Sequence, residues 1–540
     1  MHQHRLLPTR RGLLGRSIIA VIGGLLVAGM VTTAPASANH NADQHRKMEV
    51  LFTSPNSKTN SDLAFWGNHA FVGYYTGDAQ PSGGVRIFDI SDPSGPQLVR
   101  DFQCDGLQND PIVWDRNGNG VADLLMLAVD RTMASPECGA ERVDHNDPNG
   151  WEGVRVFTMS DDPANPFAEI EQVAAVYTDC GAHTITLWPE EAGKLLAYVS
   201  SYPLRPGPTC GTIAPASGVP PWQNTANPYD EDPGSPANPL HGVIQVVEVP
   251  LADPSAAEEA SVQPAISYPG DPDGKIDWTE RGLSAPGVLE PAAVACHDIV
   301  VDVSSQLAAG ACAEQGQVWN IGANGIPDTE NPVSISDDDV TSGGTGDIPG
   351  AIDFFHSAMF SNDTTVVNWV DESFGDGCPP TTTYQPRPWN PAGGTHDTGR
   401  MFFADVASGS FLSEFQVGNL RPEPGAYCSA HMGMTVPGTN RDLLVNAWYM
   451  GGVDVIDFSK PTRLKEIAYY DIAPDGPTGS DNWSAYPYVG PKFKTGPGIP
   501  VYASDGVHNP PSARGLVVFR TNIGKTGGSA LDYLNPQTLN

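Results

Sequence analysis

The chain has 540 residues, a formal net charge of −34 and only 17% charged residues. A chain this acidic has no net field to draw it to nucleic acid. Its 58 glycines and 50 prolines suit a turn-rich all-β protein and not a disordered acidic one.

Residues 1–38 read as an export leader. Arg5, Arg10, Arg11 and Arg16 precede an apolar run over 18–31, and Ala36, Ser37 and Ala38 suit signal peptidase. The segment T-R-R-G-L-L from Thr9 resembles a twin-arginine signal, with an ordinary Sec signal as the alternative. No second apolar run of that length follows, so the mature chain is expected to be secreted, with no membrane span. The expected organisation is a lead-in over 39–59, a repeat domain over 60–522 and a tail over 523–540.

The repeat is clearest at 85–96, V-R-I-F-D-I-S-D-P-S-G-P. Val85, Ile87, Phe88 and Ile90 are β-branched or aromatic and form a strand. Asp92, Pro93, Gly95 and Pro96 end it, because proline has no N–H for the ladder and aspartate bonds its own backbone. Imperfect copies follow at 154–166, 243–254, 317–332, 401–409, 453–461 and 516–521. The copy at 401–409 lacks the Asp-Pro turn, and the last keeps only the strand. Seven such units, with no strong helical pattern between them, predict radial repetition of small sheets, an all-β seven-bladed β-propeller.

A second motif precedes each copy. Aligned on the residue before its apolar run, one column holds Ser61, Asn109, His183, His297, His356, His431 and Trp483. The next column holds Asp62, Asp110, Thr184, Asp298, Ser357, Met432 and Ser484. Each blade therefore reads as an inner strand, a hairpin to a second strand, the V-R-I-F-D-I strand and an outer strand, giving four-stranded antiparallel blades. Three insertions rich in Pro, Gly, Asn and Thr, at 201–241, 372–400 and 473–483, read as long loops able to cover one mouth of the channel.

The segments V-R-I-F-D-I-S-D-P, D-C-G-A-H-T, A-C-H-D-I, H-S-A, C-S-A-H and G-G-V-D-V-I-D-F-S-K-P resemble the LVIVD-repeat family, in particular its secreted actinobacterial members. The resemblance runs from about Asn60 to Arg520. It implies a seven-bladed β-propeller and no particular activity. In architecture and residue type the chain is also distantly similar to the selenium-binding-protein/methanethiol-oxidase family.

All eight cysteines follow the leader: Cys104, Cys138, Cys180, Cys210, Cys296, Cys312, Cys378 and Cys428. An even number in an exported chain favours disulfides, and sequential pairing is the economical expectation. Ligation of a metal by the cysteines beside histidines is the alternative.

The sharpest functional signal is the histidine column. Equivalent inner strands would place His183, His297, His356 and His431 at similar depth around one axis, where imidazoles suit copper, zinc or iron and Asp298 or Asp110 can orient a ring or add an oxygen. Inner-strand histidines bonded to backbone or water are the structural alternative. The stretch 115–123, D-R-N-G-N-G-V-A-D, is a candidate calcium loop: Asp115, Asn117, Asn119 and Asp123 offer side-chain oxygens and Val121 a carbonyl. An Asn-Gly hairpin turn explains it equally. Trp448, Tyr449, Trp483, Tyr486 and Tyr488 are candidates for an aromatic platform or for blade packing.

Three functions compete. The first is a binding protein for a protein partner or cell-surface ligand, expected to be a monomer, with a histidine-lined channel. The second is a metal-dependent, copper-like oxidoreductase. The third is a hydrolase or lyase using Asp62, Asp110 and Asp298 as acid and base. Fold alone does not choose among them.

Overall fold

The structure is a computed structural model. It describes residues 36–37, 44–55, 58–75, 83–144, 147–178, 181–190, 193–200, 208, 243–264, 296–312, 315–329, 332–336, 352, 354–373, 377–384, 394–417, 427–471, 480–491, 498–507, 514–523 and 531–539.

The repeats form seven antiparallel sheets, each with its strands in the expected order from the axis outwards. The inner strands of blades 1 to 7 are Thr59–Trp66, Gln108–Trp114, Thr184–Glu190, Asp298–Asp302, Phe355–Phe360, Gly433–Thr435 and Asn482–Pro487. The V-R-I-F-D-I segment is the third strand of blade 1, Gly84–Asp89, and its copies hold the same place in the other blades. Burial falls outwards as this order requires. Asp298–Asp302 is buried at every position, whereas most of the outer strand Gln97–Gln103 faces solvent.

The Asp-Pro turns work as their chemistry predicts. Asp92 Oδ1 accepts from the Ser94 backbone N–H at 2.9 Å and its hydroxyl at 2.6 Å, and Asp457 treats Ser459 the same way at 3.1 and 2.7 Å. Each turn stops the third strand and returns the chain as the outer one. A β-bulge recurs between third and outer strands in blades 1, 2, 3, 5 and 6, at Ile87/Phe88, Val156/Phe157, Val246/Val247, Phe403/Ala404 and Val455/Ile456. One extra residue there increases the local twist.

Two segments outside the repeats complete the ring. Met48–Pro55 pairs antiparallel with Arg514–Thr521 and supplies the outer strand of blade 7. The tail runs across the far ends of four inner strands. Tyr533 pairs with Trp66, the Asn535 amide brackets the Val113 backbone at 2.8 and 2.9 Å, Thr538 donates to Leu187 O at 2.9 Å, and Gln537 O accepts from Val301 N at 2.9 Å. Ala36–Ser37 pairs in parallel with Phe415–Gln416 at the outer edge of blade 5, so a cut after Ala38 removes that fifth strand and leaves four. The insertion after blade 5's second strand contains a short hairpin, Thr381–Tyr384 with Gly394–Asp397.

Three of the expected disulfides are present: Cys104–Cys138, Cys296–Cys312 and Cys378–Cys428. Cys180 and Cys210 lie outside the described residues. No described helix is long and apolar enough to cross a membrane.

Candidate metal centre

The histidine column sits where the inner strands begin, at the end of the channel opposite the tail. Irregular backbone puts it there. In blades 1, 2, 5 and 7 the ladder between the first two strands shifts register at Asn60/Leu63, Gln108/Pro111, Phe355/Ser357 and Asn482/Ser484. The residues skipped include Ser61, Asn109, His356 and Trp483, all members of the aligned column. In blades 3 and 4 His183 and His297 directly precede the inner strand, and His431 lies two residues before it in blade 6. A bulge or a strand start frees a side chain from the up-down alternation, so it can turn to the axis.

Neighbouring blades are locked together at this level by small hydroxyls. Thr184 Oγ1 donates to His297 O at 2.6 Å, Ser357 Oγ to His431 O at 2.7 Å and Ser504 Oγ to Ser61 O at 2.5 Å. Thr184 and Ser357, from the second aligned column, thereby set the height of the next histidine.

The rings converge. Centroids are 4.4 Å apart for His183 and His297, 3.8 Å for His297 and His356, and 4.0 Å for His356 and His431. All four histidines are buried. Two sets of three donors have their ligand atoms within 4.8 Å of one another: His297, Asp298 and His356, and His356, Glu372 and His431. Nδ1 of His297 lies 3.5 Å and Nδ1 of His356 3.4 Å from the Asp298 carboxylate, while Nε2 of His356 and of His431 lie 3.6 and 3.8 Å from that of Glu372.

These separations are longer than hydrogen bonds and match the spacing of donors around a metal ion. A charge-assisted N–H···O bond is about 2.7–2.9 Å long. Two donors that each lie about 2.1 Å from a tetrahedral metal are about 3.4 Å apart. Asp298 is wholly buried, and among the described residues neither of its oxygens accepts a hydrogen bond. A buried carboxylate in that state is costly unless a cation meets it. The donor set, imidazole with carboxylate, fits zinc, iron or copper.

His183 plays a different part from the other three. Its Nδ1 is bonded to Asp130 Oδ2 and its Nε2 lies 2.8 Å from Gln108 Nε2, so both ring nitrogens are used by the protein. Burial, followed by the neighbouring His297, His431 and His183, pushes the His356 pKa well below its usual value and keeps the ring neutral, the form that binds a metal. Trp483 O accepts from Nδ1 of His431 at 2.6 Å, which fixes the tautomer with the lone pair on Nε2.

Glu372 and Tyr449 are absent from the aligned columns. Glu372 follows blade 5's second strand and is held there by its backbone N–H on Phe354 O at 2.8 Å. Tyr449 donates to Glu372 Oε1 at 2.6 Å and stacks at a tilt on His431, with centroids 4.4 Å apart. Each follows the second strand of a blade, outside the first-strand motif, so only spatial closeness marks Glu372 and joins it to Tyr449, an aromatic candidate from the sequence.

Asp62 and Asp110 come together beside Asp298. Asp110 Oδ1 accepts from the Asp62 backbone N–H at 3.2 Å, and Tyr486 donates to Asp62 Oδ2 at 2.9 Å. Burial raises the Asp62 pKa to about 7, partly offset by the Tyr486 hydroxyl. Burial, then the charges of Asp62 and Asp298, raises that of Asp110 well above the usual carboxylate range.

The 115–123 stretch is the turn between the first two strands of blade 2. Asp115 accepts from the backbone N–H groups of Asn117, Gly118, Asn119 and Gly120 at 3.2, 2.7, 3.3 and 2.6 Å. Asp123 accepts from the Arg116 backbone and meets its guanidinium at 3.0 Å, and Val121 N–H donates to Asn119. Asn117 and Asn119 both hold Asp161. Of the aromatic residues, Trp448, Tyr486 and Tyr488 are wholly buried between blades, whereas Tyr449 and Trp483 pack on His431.

No family model matches this chain, and no curated protein matches it; the LVIVD resemblance therefore rests on the repeat motifs alone. Solved structures do match. Sqt1 from Chaetomium thermophilum has a TM-score of 0.43 at 13% identity, covering 88% of this chain and 90% of Sqt1. A putative 6-phosphogluconolactonase from Bacteroides fragilis has a TM-score of 0.39 at 11% identity, covering 89% and 97%. At these levels the likeness concerns architecture and carries no function. Fold and site define a seven-bladed β-propeller with a buried His/Asp/Glu cluster able to hold a metal ion.

Proposed function

We propose that this chain is an exported metalloprotein whose transition metal is held at the axial mouth by His297, Asp298, His356, Glu372 and His431. The observation that carries this reading is the spacing of the five donors, 3.4–3.8 Å between imidazole nitrogen and carboxylate oxygen, with Asp298 accepting no hydrogen bond among the described residues. Each set is two histidines and one carboxylate, the donor pattern of catalytic zinc and of non-haem iron(II). A metal held this way with an open position lowers the pKa of bound water or exchanges electrons. The chain's own residues do the rest. His431 and Glu372 are oriented by Trp483 and Tyr449, the blade hydroxyls fix the height of the rings, and the tail covers the opposite end. Glu372, with its side chain 17% exposed against 2% or less for the other donors, marks the side from which a ligand or partner reaches the metal.

A second observation favours redox chemistry over hydrolysis. Tyr449 and Trp483 pack on His431 at 4.4 and 4.6 Å, and Tyr427 lies 4.9 Å from Tyr449, so oxidisable rings lead away from the metal position. The three disulfides support an oxidising, extracellular location. The 115–123 turn is the proposed calcium position, at which binding requires Arg116 to leave Asp123. Elemental mass spectrometry of the exported protein tests the reading. About one or more zinc, iron or copper per chain, lost in His297→Ala/His356→Ala, is expected; a folded protein with no such metal after reloading overturns it.

A further inference from the structure

The two donor sets share one residue, and they use opposite sides of its ring. Nδ1 of His356 faces Asp298 at 3.4 Å, on the side of His297. Nε2 of the same ring faces Glu372 at 3.6 Å, on the side of His431. A histidine that serves a single metal offers one nitrogen and gives the other a protein acceptor, as His431 does with Trp483 O. His356 has no such acceptor: among the described residues its Nδ1 makes no hydrogen bond.

We propose that His356 bridges two metal ions, one held with His297 and Asp298 and the other with Glu372 and His431. This rests on the metal reading above and extends it from one ion to a pair. On binding, the neutral ring gives up its one N–H proton to solvent, and each ring nitrogen then donates a lone pair to its own metal. Charge favours the pair. Two divalent ions meet three negative groups, the imidazolate, Asp298 and Glu372, one carboxylate on each side of the ring. The two sites also differ in access. Asp298 is wholly buried, whereas Glu372 is partly exposed, so the ion at His297 and Asp298 is the enclosed one and the ion at Glu372 and His431 meets the ligand.

The test uses copper(II) alone on the full exported chain, after chelation and dialysis, with copper counted by elemental mass spectrometry and its spins read by electron paramagnetic resonance. Two coppers per chain are expected, with a half-field signal from exchange across the imidazolate. Asp298→Asn and Glu372→Gln should each fall to about one copper with an ordinary mononuclear spectrum. His356→Gln should lose the half-field signal, and retained thermal unfolding in all three variants shows that folding is not the cause. One copper per chain, or two without exchange, overturns the bridge and leaves the single-metal reading standing. No bound copper here, with no zinc or iron in the protein before chelation, overturns both.

Discussion

Nδ1 of His431 donates to the backbone carbonyl of Trp483 at 2.6 Å, and that bond decides what the other ring nitrogen can do. With the proton on Nδ1, the lone pair of Nε2 faces Glu372, 3.8 Å from Oε1. Tyr449 donates to that same oxygen at 2.6 Å. Blade 7 thus orients the imidazole of blade 6, and a tyrosine of blade 6 orients the carboxylate of blade 5. A donor pair fixed from three blades would need little reorganisation to meet a metal ion.

Tyr449→Phe removes the bond to Glu372 and keeps the ring on His431. Loss of such an outer contact typically weakens metal binding about 10–100-fold. Chelator competition should show that loss with the unfolding temperature nearly unchanged. An unaltered affinity would mean that Tyr449 only packs.

Asp62 gives a pH signature. Its folded pKa is raised to about 7 from 3.8 by burial, so the native state holds its proton more tightly than the unfolded state. Its contribution is fully favourable below the unfolded value and is lost as pH rises through about 7. Asp62→Asn should therefore stabilise the metal-free protein at pH 8 and leave it nearly unchanged at pH 4. Denaturant unfolding at the two pH values checks this. Equal effects at both would contradict it.

Two disulfides lie beside the site. Cys296 adjoins His297, and Cys428 lies in the segment that carries His431. Opening the Cys296–Cys312 loop, sixteen residues in span, should cost about 3 kcal/mol. Cys296→Ser/Cys312→Ser should also weaken metal binding, because His297 then loses its fixed height. Unchanged metal content with lowered stability would confine the bridge to folding.

Ring closure depends on a strand from the other end of the chain. Without Met48–Pro55, Arg514–Thr521 becomes an unpaired edge and blade 7 loses its outer cover. A chain begun at Lys58 should lack the sharp thermal transition of the longer protein. Retention of that transition would show that the ring closes without the strand.

The repeat was legible because each V-R-I-F-D-I copy couples a buried strand to an Asp-Pro stop, and that pairing survives divergence. The histidine column was legible because equivalent strands place equivalent positions at one height. Glu372 was not, since it follows a second strand, outside the aligned run; Tyr449 was legible as an aromatic candidate but not as the partner of Glu372. Nor does composition reveal the inner-strand bulges at Phe355/Ser357 and Asn482/Ser484, because one skipped residue changes register without changing residue type. His183 looked equivalent to its neighbours; only Asp130 and Gln108, from blade 2, set it apart.

The most direct measurement is an anomalous-difference map from crystals of the exported protein grown with zinc, iron or copper. A peak is expected on the axis at about 2.1 Å from donor atoms of His297, Asp298 and His356, or of His356, Glu372 and His431. Full occupancy of both positions would place His356 between them. A well-ordered map with metal in the crystal and no peak within reach of these five side chains would contradict the assignment of the axial cluster as a metal centre.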